Sequence, residues 1–84
     1  MYEVVLGREA ARTLERLTPA MRARMIKALE RARVNPLRAK RLRGELEGLL
    51  SLRVGEMRIV YEVDPDEMAM VVHAIGPRGD VYKR

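Results

Sequence analysis

In the last third of this 84-residue chain, Arg58, Arg78 and Tyr82 carry side chains suited to phosphate chemistry. Guanidinium groups stay charged at any relevant pH and bind phosphate oxygens in a fork, so they stabilise the extra negative charge of a pentacoordinate phosphorane. A tyrosine beside them can orient or deprotonate a ribose 2′-hydroxyl for attack on its own 3′-phosphate. A phenol of ordinary pKa, about 10, is a poor base unless neighbouring cations favour the phenolate. Taken singly, each of the three is an ordinary surface group. The reading rests on the elements that bring them together.

Other chemistries find little support. One histidine, no cysteine and no i, i+4 ligand pair argue against a metal centre, and no nucleophilic triad can be assembled. No cofactor is expected. Gly76-Pro77-Arg78-Gly79 follows an apolar run but opens no helical pattern, so it is no phosphate loop. His73, inside that apolar run, reads as structural or incidental.

Charge points to an anionic partner. Seventeen Lys and Arg stand against twelve Asp and Glu, a net +5. Between residues 22 and 43, Arg22, Arg24, Lys27, Arg31, Arg33, Arg38, Lys40, Arg41 and Arg43 face one acid, Glu30. From this segment Arg31, Arg38, Lys40, Arg41 and Arg43, together with Arg53, are the candidate phosphate-binding residues. Without an aromatic platform there, the segment favours phosphate tracking over base-specific reading. The chain has no run of 18 apolar residues, and MYEVVLGREA has no basic n-region and only a short apolar run, so neither membrane spanning nor secretion is expected. The absence of cysteine fits a reducing compartment, and a cytoplasmic location is the expectation.

The elements that must position these residues centre on Leu49 to Val63, LLSLRVGEMRIVYEV. Two alternating apolar runs joined at Gly55-Glu56 predict a β-hairpin. A two-residue loop pairs Val54 with Met57, Arg53 with Arg58, Ser51 with Val60 and Leu49 with Glu62. Two arginines then lie side by side, which costs up to about 1 kcal/mol unless an anion or solvent separates their charges. Upstream, YEVVL is a strand with Tyr2, Val4 and Leu6 on one face, ended by Gly7. Ala10, Ala11, Leu14 and Leu17 follow helical spacing from Arg8 to Leu17. Thr18-Pro19 starts a second helix, running to about Asn35 with Met21, Met25, Ala28, Leu29 and Ala32 as its buried stripe, and Pro36 stops it. Leu37 to Gly48 reads as a basic loop. Asp64-Pro65-Asp66-Glu67 is a turn, Met68 to Ile75 a strand, and Gly76-Pro77-Arg78-Gly79 its breaker.

The order is β-α-α-β-β-β. It predicts one domain over residues 1–84, an α+β sandwich in which an N-terminal helical hairpin covers one face of a mainly antiparallel four-stranded sheet. The other face stays partly open as a site.

The loop phrase KRLRGELEGLLSLRVGEMRIVYEV and the ending VVHAIGPRGDVYKR, with this element order, resemble the RelE/ParE superfamily of bacterial and archaeal toxins from toxin–antitoxin pairs. The combination L-R-V-G-x-x-R-I-V-Y, an acidic turn, an apolar strand, then G-x-R and V-Y resembles the RelE branch in particular. The resemblance implies a metal-independent messenger RNA endonuclease that acts in the ribosomal decoding site and is silenced by an acidic RelB-like antitoxin. By the same resemblance Arg58 matches a phosphate-binding arginine after the hairpin turn. Arg78 matches an arginine with a leaving-group or transition-state role, and Tyr82 a terminal tyrosine that positions the 2′-hydroxyl. The best-studied pattern also carries two lysines on the strand before the turn, one of them assigned general-base work. Leu49 and Ser51 stand at those positions here, so Lys40, Arg41, Arg43 or Arg53 would supply the missing charge. Two alternatives remain open at this point: a ParE-like inhibitor of DNA gyrase, and a basic RNA-binding module without chemistry.

Overall fold

The computed structural model describes residues 1–77. In it Thr18 and Pro19 split the N-terminal helical stretch into α1, Arg8–Arg16, and α2, Pro19–Ala32. Thr18 Oγ1 accepts a hydrogen bond from the Met21 N–H at 3.2 Å, and Pro19 occupies the first helical turn, where its missing N–H costs nothing. Helix α2 ends three residues before the expected Asn35. The Arg33 N–H still closes on the Leu29 carbonyl at 3.0 Å, but Asn35, preceding Pro36, takes φ −149° and leaves the helical region. A single 3₁₀ turn, Pro36–Arg38, follows.

Among the described residues the sheet has five strands: β1 Glu3–Leu6, β2 Lys40–Arg41, β3 Leu50–Val54, β4 Met57–Asp64 and β5 Ala69–Pro77. Their order is β1-β5-β4-β3-β2, with β1 parallel to β5 and the other pairs antiparallel. The α+β class and the helical hairpin on one face hold, but the count of four strands is corrected. The additional strand comes from the stretch read as a basic loop. Lys40 and Arg41 lack apolar alternation and join the sheet through their backbone, opposite Ser51 and Leu50, and the Leu42 N–H extends the ladder to the Leu49 carbonyl at 3.0 Å.

The β3–β4 register matches expectation from Leu50↔Tyr61 to Val54↔Met57. It stops short of Leu49↔Glu62, because the Leu49 N–H turns back to the Leu46 carbonyl at 3.1 Å. Strand β5 also runs further than its glycine and proline suggested. Gly76 pairs with Arg58, and Pro77 sits at the strand end opposite Met57, a position where a missing donor is tolerated.

Both helices pack on one sheet face. Ala10, Leu14, Met25 and Leu29 meet Leu50, Ile59, Tyr61, Met70, Val72 and Ile75 in one cluster, with Tyr2 and Val4 against its margin. Leu6, expected beside them, is 37% exposed because β1 is the sheet edge. Gly7 turns the chain from β1 into α1 at close quarters. Its N–H donates to the Val72 carbonyl at 2.8 Å, and a Cβ there would stand 3.0 Å from the same oxygen.

The strand period assigns the remaining side chains to the opposite face. Across it run three rows: Arg53, Arg58 and Gly76; Lys40, Ser51, Val60 and Ala74; and Glu62, Val71 and Val5. Neither α1 nor α2 covers this face.

Candidate functional site

The hairpin builds the centre of the site. Gly55 takes φ +62° at the first position of the two-residue turn, a conformation that fits tight hairpins and suits glycine. Arg24 of α2 lies against this turn, its Nη2 3.0 Å from where a Gly55 Cβ would be. Arg53 and Arg58 therefore stand directly opposite each other, as the alternation requires. Solvent, one of the two routes the sequence suggested, separates their charges on the Arg53 side. Arg58 Nη1 donates to Ser51 Oγ at 2.9 Å, on the diagonal of the ladder, which holds a half-buried guanidinium against the sheet while Arg53 stays exposed. Arg53, Glu56, Met57 and Arg58 line a depression of about 290 Å³. Lys40 lies on the far side of Ser51, directly opposite it.

The remaining cations divide by position. Arg31, Arg38 and Arg53, with Arg24 and Lys27, rim a groove of about 580 Å³ whose floor is Ala28, Ala32, Leu52, Val54 and Tyr61. The groove runs along the part of β3 that β2 leaves uncovered, since β2 pairs only with Leu50 and Ser51. Lys40, Arg41 and Arg43 line a second depression with Glu47 and Gly48. The six basic residues proposed for phosphate, Arg31, Arg38, Lys40, Arg41, Arg43 and Arg53, are all exposed. They spread over two surfaces that meet at Arg53: Lys40 and Arg53 belong to the open face, and Arg31, Arg38 and again Arg53 to the groove beside α2.

Two basic residues of the same segment serve the scaffold. Arg22 donates to the carbonyls of Leu14, Glu15 and Leu17 at 3.0, 2.9 and 3.0 Å, so it caps the C-terminus of α1. Arg33 donates to the Tyr2 carbonyl at 2.8 Å and to Glu30 Oε1 at 3.4 Å, tying α2 to the start of β1.

Sequence reading missed three features. Ser51, noted as a lost lysine, anchors Arg58; the hairpin register could have shown this, because the two lie on one diagonal. Tyr61 is buried, and its hydroxyl donates to the Pro36 carbonyl at 2.5 Å, fixing the connection that carries β2. Burial pushes its phenol pKa above the usual value. The third is an irregularity in the β4–β5 ladder: Val60 pairs with Ala74 and Tyr61 with Val72, so His73 is left over as a bulge. The bulged His73 meets Glu62, Nε2 to Oε1 2.5 Å.

Arg78 and Tyr82 lie outside the described residues. Strand β5 carries the chain to Pro77, with Gly76 beside Arg58.

Comparison with known proteins agrees with this arrangement. A family model for the ParE toxin of the type II toxin–antitoxin system parDE matches residues 4–82. Toxin RelG of Mycobacterium tuberculosis is 34% identical over 85 residues, covering 99% of this chain and 98% of that protein. Toxin RelE of the same organism is 34% identical over 84 residues, covering 98% and 87%. Among solved structures, the RelBE2 toxin–antitoxin complex of M. tuberculosis superposes with a TM-score of 0.84 at 33% identity, covering 92% of this chain and 98% of that one. The isolated E. coli RelE toxin shares the fold, with a TM-score of 0.80 at 23% identity over 98% of this chain and 92% of that one. With a hairpin arginine on the sheet face that neither helix covers, a helical pair behind it and relatives that match from end to end, this chain belongs to the RelE/ParE superfamily of toxins from type II toxin–antitoxin systems.

Proposed function

We propose that the chain is a ribosome-dependent endoribonuclease that cuts messenger RNA in the decoding site and so inhibits translation. The observation that carries this reading is Arg58, held by Ser51 on the open face between Arg53 and Gly76. In the reaction the ribose 2′-oxygen bonds to the adjacent phosphorus and the bond from phosphorus to the 5′-oxygen breaks. A cyclic phosphate and a 5′-hydroxyl result. Arg58 holds the non-bridging oxygens as charge builds on them, Arg78 stabilises the leaving group or transition state, and Tyr82 orients the 2′-hydroxyl. Lys40, opposite Ser51 by register, is an amine beside the place where the family pattern has lysine. Arg41 and Arg43, on the same edge, grip ribosomal phosphates.

The partner is an acidic RelB-like antitoxin. The basic rim and apolar floor of the groove, along an uncovered strand edge, suit an acidic amphipathic segment that folds as it binds. A second reading, inhibition of DNA gyrase through protein contacts, draws on the family model's description as a ParE toxin.

Primer extension on a message translated in vitro, with and without ribosomes, tests the proposal. New 5′ ends that need ribosomes and fade in Arg58→Ala, Arg78→Ala and Tyr82→Phe are the expected outcome. No cleavage, with gyrase supercoiling blocked instead, would transfer the chain to the second reading.

A further inference from the structure

Glu62 is out of place on a face that binds phosphate. It occupies the third row of the open face, four residues along β4 from Arg58, which is about 13 Å at the usual strand rise. A carboxylate there repels a phosphate backbone and contributes nothing to gripping it. Yet the β4–β5 bulge turns His73 toward it, and the two side chains, 44% and 48% exposed, form a pair still accessible from solvent. Between this pair and Arg58 the positions are apolar, Val60 on β4 and Ala74 on β5. The separation matches the reach of one nucleotide, from backbone phosphate to the Watson–Crick edge of its base.

We propose that Glu62, oriented by His73, reads the base of an RNA nucleotide whose phosphate sits at Arg58, and that this base is guanine. The inference rests on the RNA-directed reading above. An ionised carboxylate only accepts hydrogen bonds, through two oxygens side by side. Guanine presents two adjacent donors on its Watson–Crick edge, the N1–H and the N2 amine. Adenine and cytosine set one donor beside an acceptor, and uracil has one N–H between two carbonyls, so each leaves a carboxylate oxygen facing another acceptor. His73 Nε2–H donating to Oε1 fixes the carboxylate plane, and the imidazole face is available for stacking, a common way of holding an unpaired RNA base. The basic segment, without aromatic side chains, tracks phosphates, and base reading belongs to this separate position on the sheet.

Fluorescence anisotropy of short RNAs on the purified chain tests this. The probes carry a single guanine, the same position as inosine, which lacks the N2 amine, or adenine. The wild-type chain is expected to bind the guanine probe about tenfold more tightly than the other two. Glu62→Gln, which offers one donor and one acceptor, erases the preference, His73→Phe weakens it, and Glu67→Gln in the distant turn leaves it intact. Equal affinity for all three probes, no binding of any, or full preference in Glu62→Gln overturns the inference. Cleavage mapping on the same proteins separates it from the ribonuclease reading. Guanine preference without cleavage removes the nuclease and leaves the base site, whereas cuts spread without regard to guanine do the reverse.

Discussion

In the proposed reaction Arg58 holds the phosphate, and the Ser51 hydroxyl is one of the groups that position its guanidinium. Removing a charged donor aimed at a phosphorane typically costs two to three orders of magnitude in rate, so Arg58→Ala should lower cleavage about 10²- to 10³-fold in a single-turnover assay. Ser51→Ala removes the 2.9 Å anchor and leaves the guanidinium in place. Its expected cost is about tenfold, the value of one hydrogen bond to a charged group. If Ser51→Ala matched Arg58→Ala, the hydroxyl would itself be touching substrate. Tyr61 acts on stability instead. Tyr61→Phe leaves the buried Pro36 carbonyl without its partner and should cost about 1 to 2 kcal/mol in urea melts. Because burial raises the phenol's folded pKa above its unfolded value of about 10, its neutral form is favoured on folding. That contribution is complete below pH 10 and fades as pH climbs toward the folded value. The wild-type melting temperature should fall through that alkaline window, and Tyr61→Phe should lack this component of the fall.

The elements differ in how openly the sequence announced them. The hairpin was legible to the residue, since period-two alternation and one glycine leave few registers that bury Leu50, Leu52, Ile59 and Tyr61 together. The helical pair was legible from Thr18-Pro19 and two apolar stripes. Strand β2 was not, because two basic residues paired through their backbone carry no side-chain pattern at all. The Glu62–His73 pair was hidden for a different reason: it exists through a bulge, and local sequence does not mark where a ladder slips by one residue. The position of Arg58 after the turn was legible from the register, its role belongs to the proposal, and Arg78 and Tyr82 fall outside the described residues. The acidic turn was read correctly, with Asp64 Oδ1 accepting from the Asp66 and Glu67 N–H groups at 3.2 and 3.3 Å. It ends on Met68 at φ +51°, a left-handed conformation that disfavours a side chain. Met68 is exposed, so Met68→Gly loses little packing and should gain about 1 kcal/mol, visible as a higher urea midpoint at unchanged slope.

Over the whole molecule, the candidate phosphate-binding cations lie on two surfaces that meet at Arg53, the open face with its β2 edge and the groove beside α2. Each cation that neutralises a phosphate of a single strand contributes about −0.7 to the slope of log affinity against log salt. Replacing Lys40, Arg41 and Arg43 together by alanine should therefore flatten the salt dependence of ribosome binding by about two units. The same triple change should leave antitoxin affinity nearly unaltered if that partner binds in the groove, as proposed. Equal damage to both would mean that the antitoxin and the RNA share one surface.

Strand β1 has a further consequence, for the order in which the molecule comes into being. Among the described strands it comes first in the chain, yet its hydrogen-bonding neighbour is β5, the last of them. Until Ala69 to Val72 exist, Val4 has no sheet to lie on, and the turn at Gly7 lacks the Val72 carbonyl that receives its N–H. A nascent or prematurely ended chain thus holds its basic residues on an unfinished scaffold, and Arg58 comes to lie beside Gly76 only when β5 closes the sheet. The described sheet is therefore complete only once β5 pairs with both β1 and β4, and a chain that stops before Ala69 lacks the strand that joins the two.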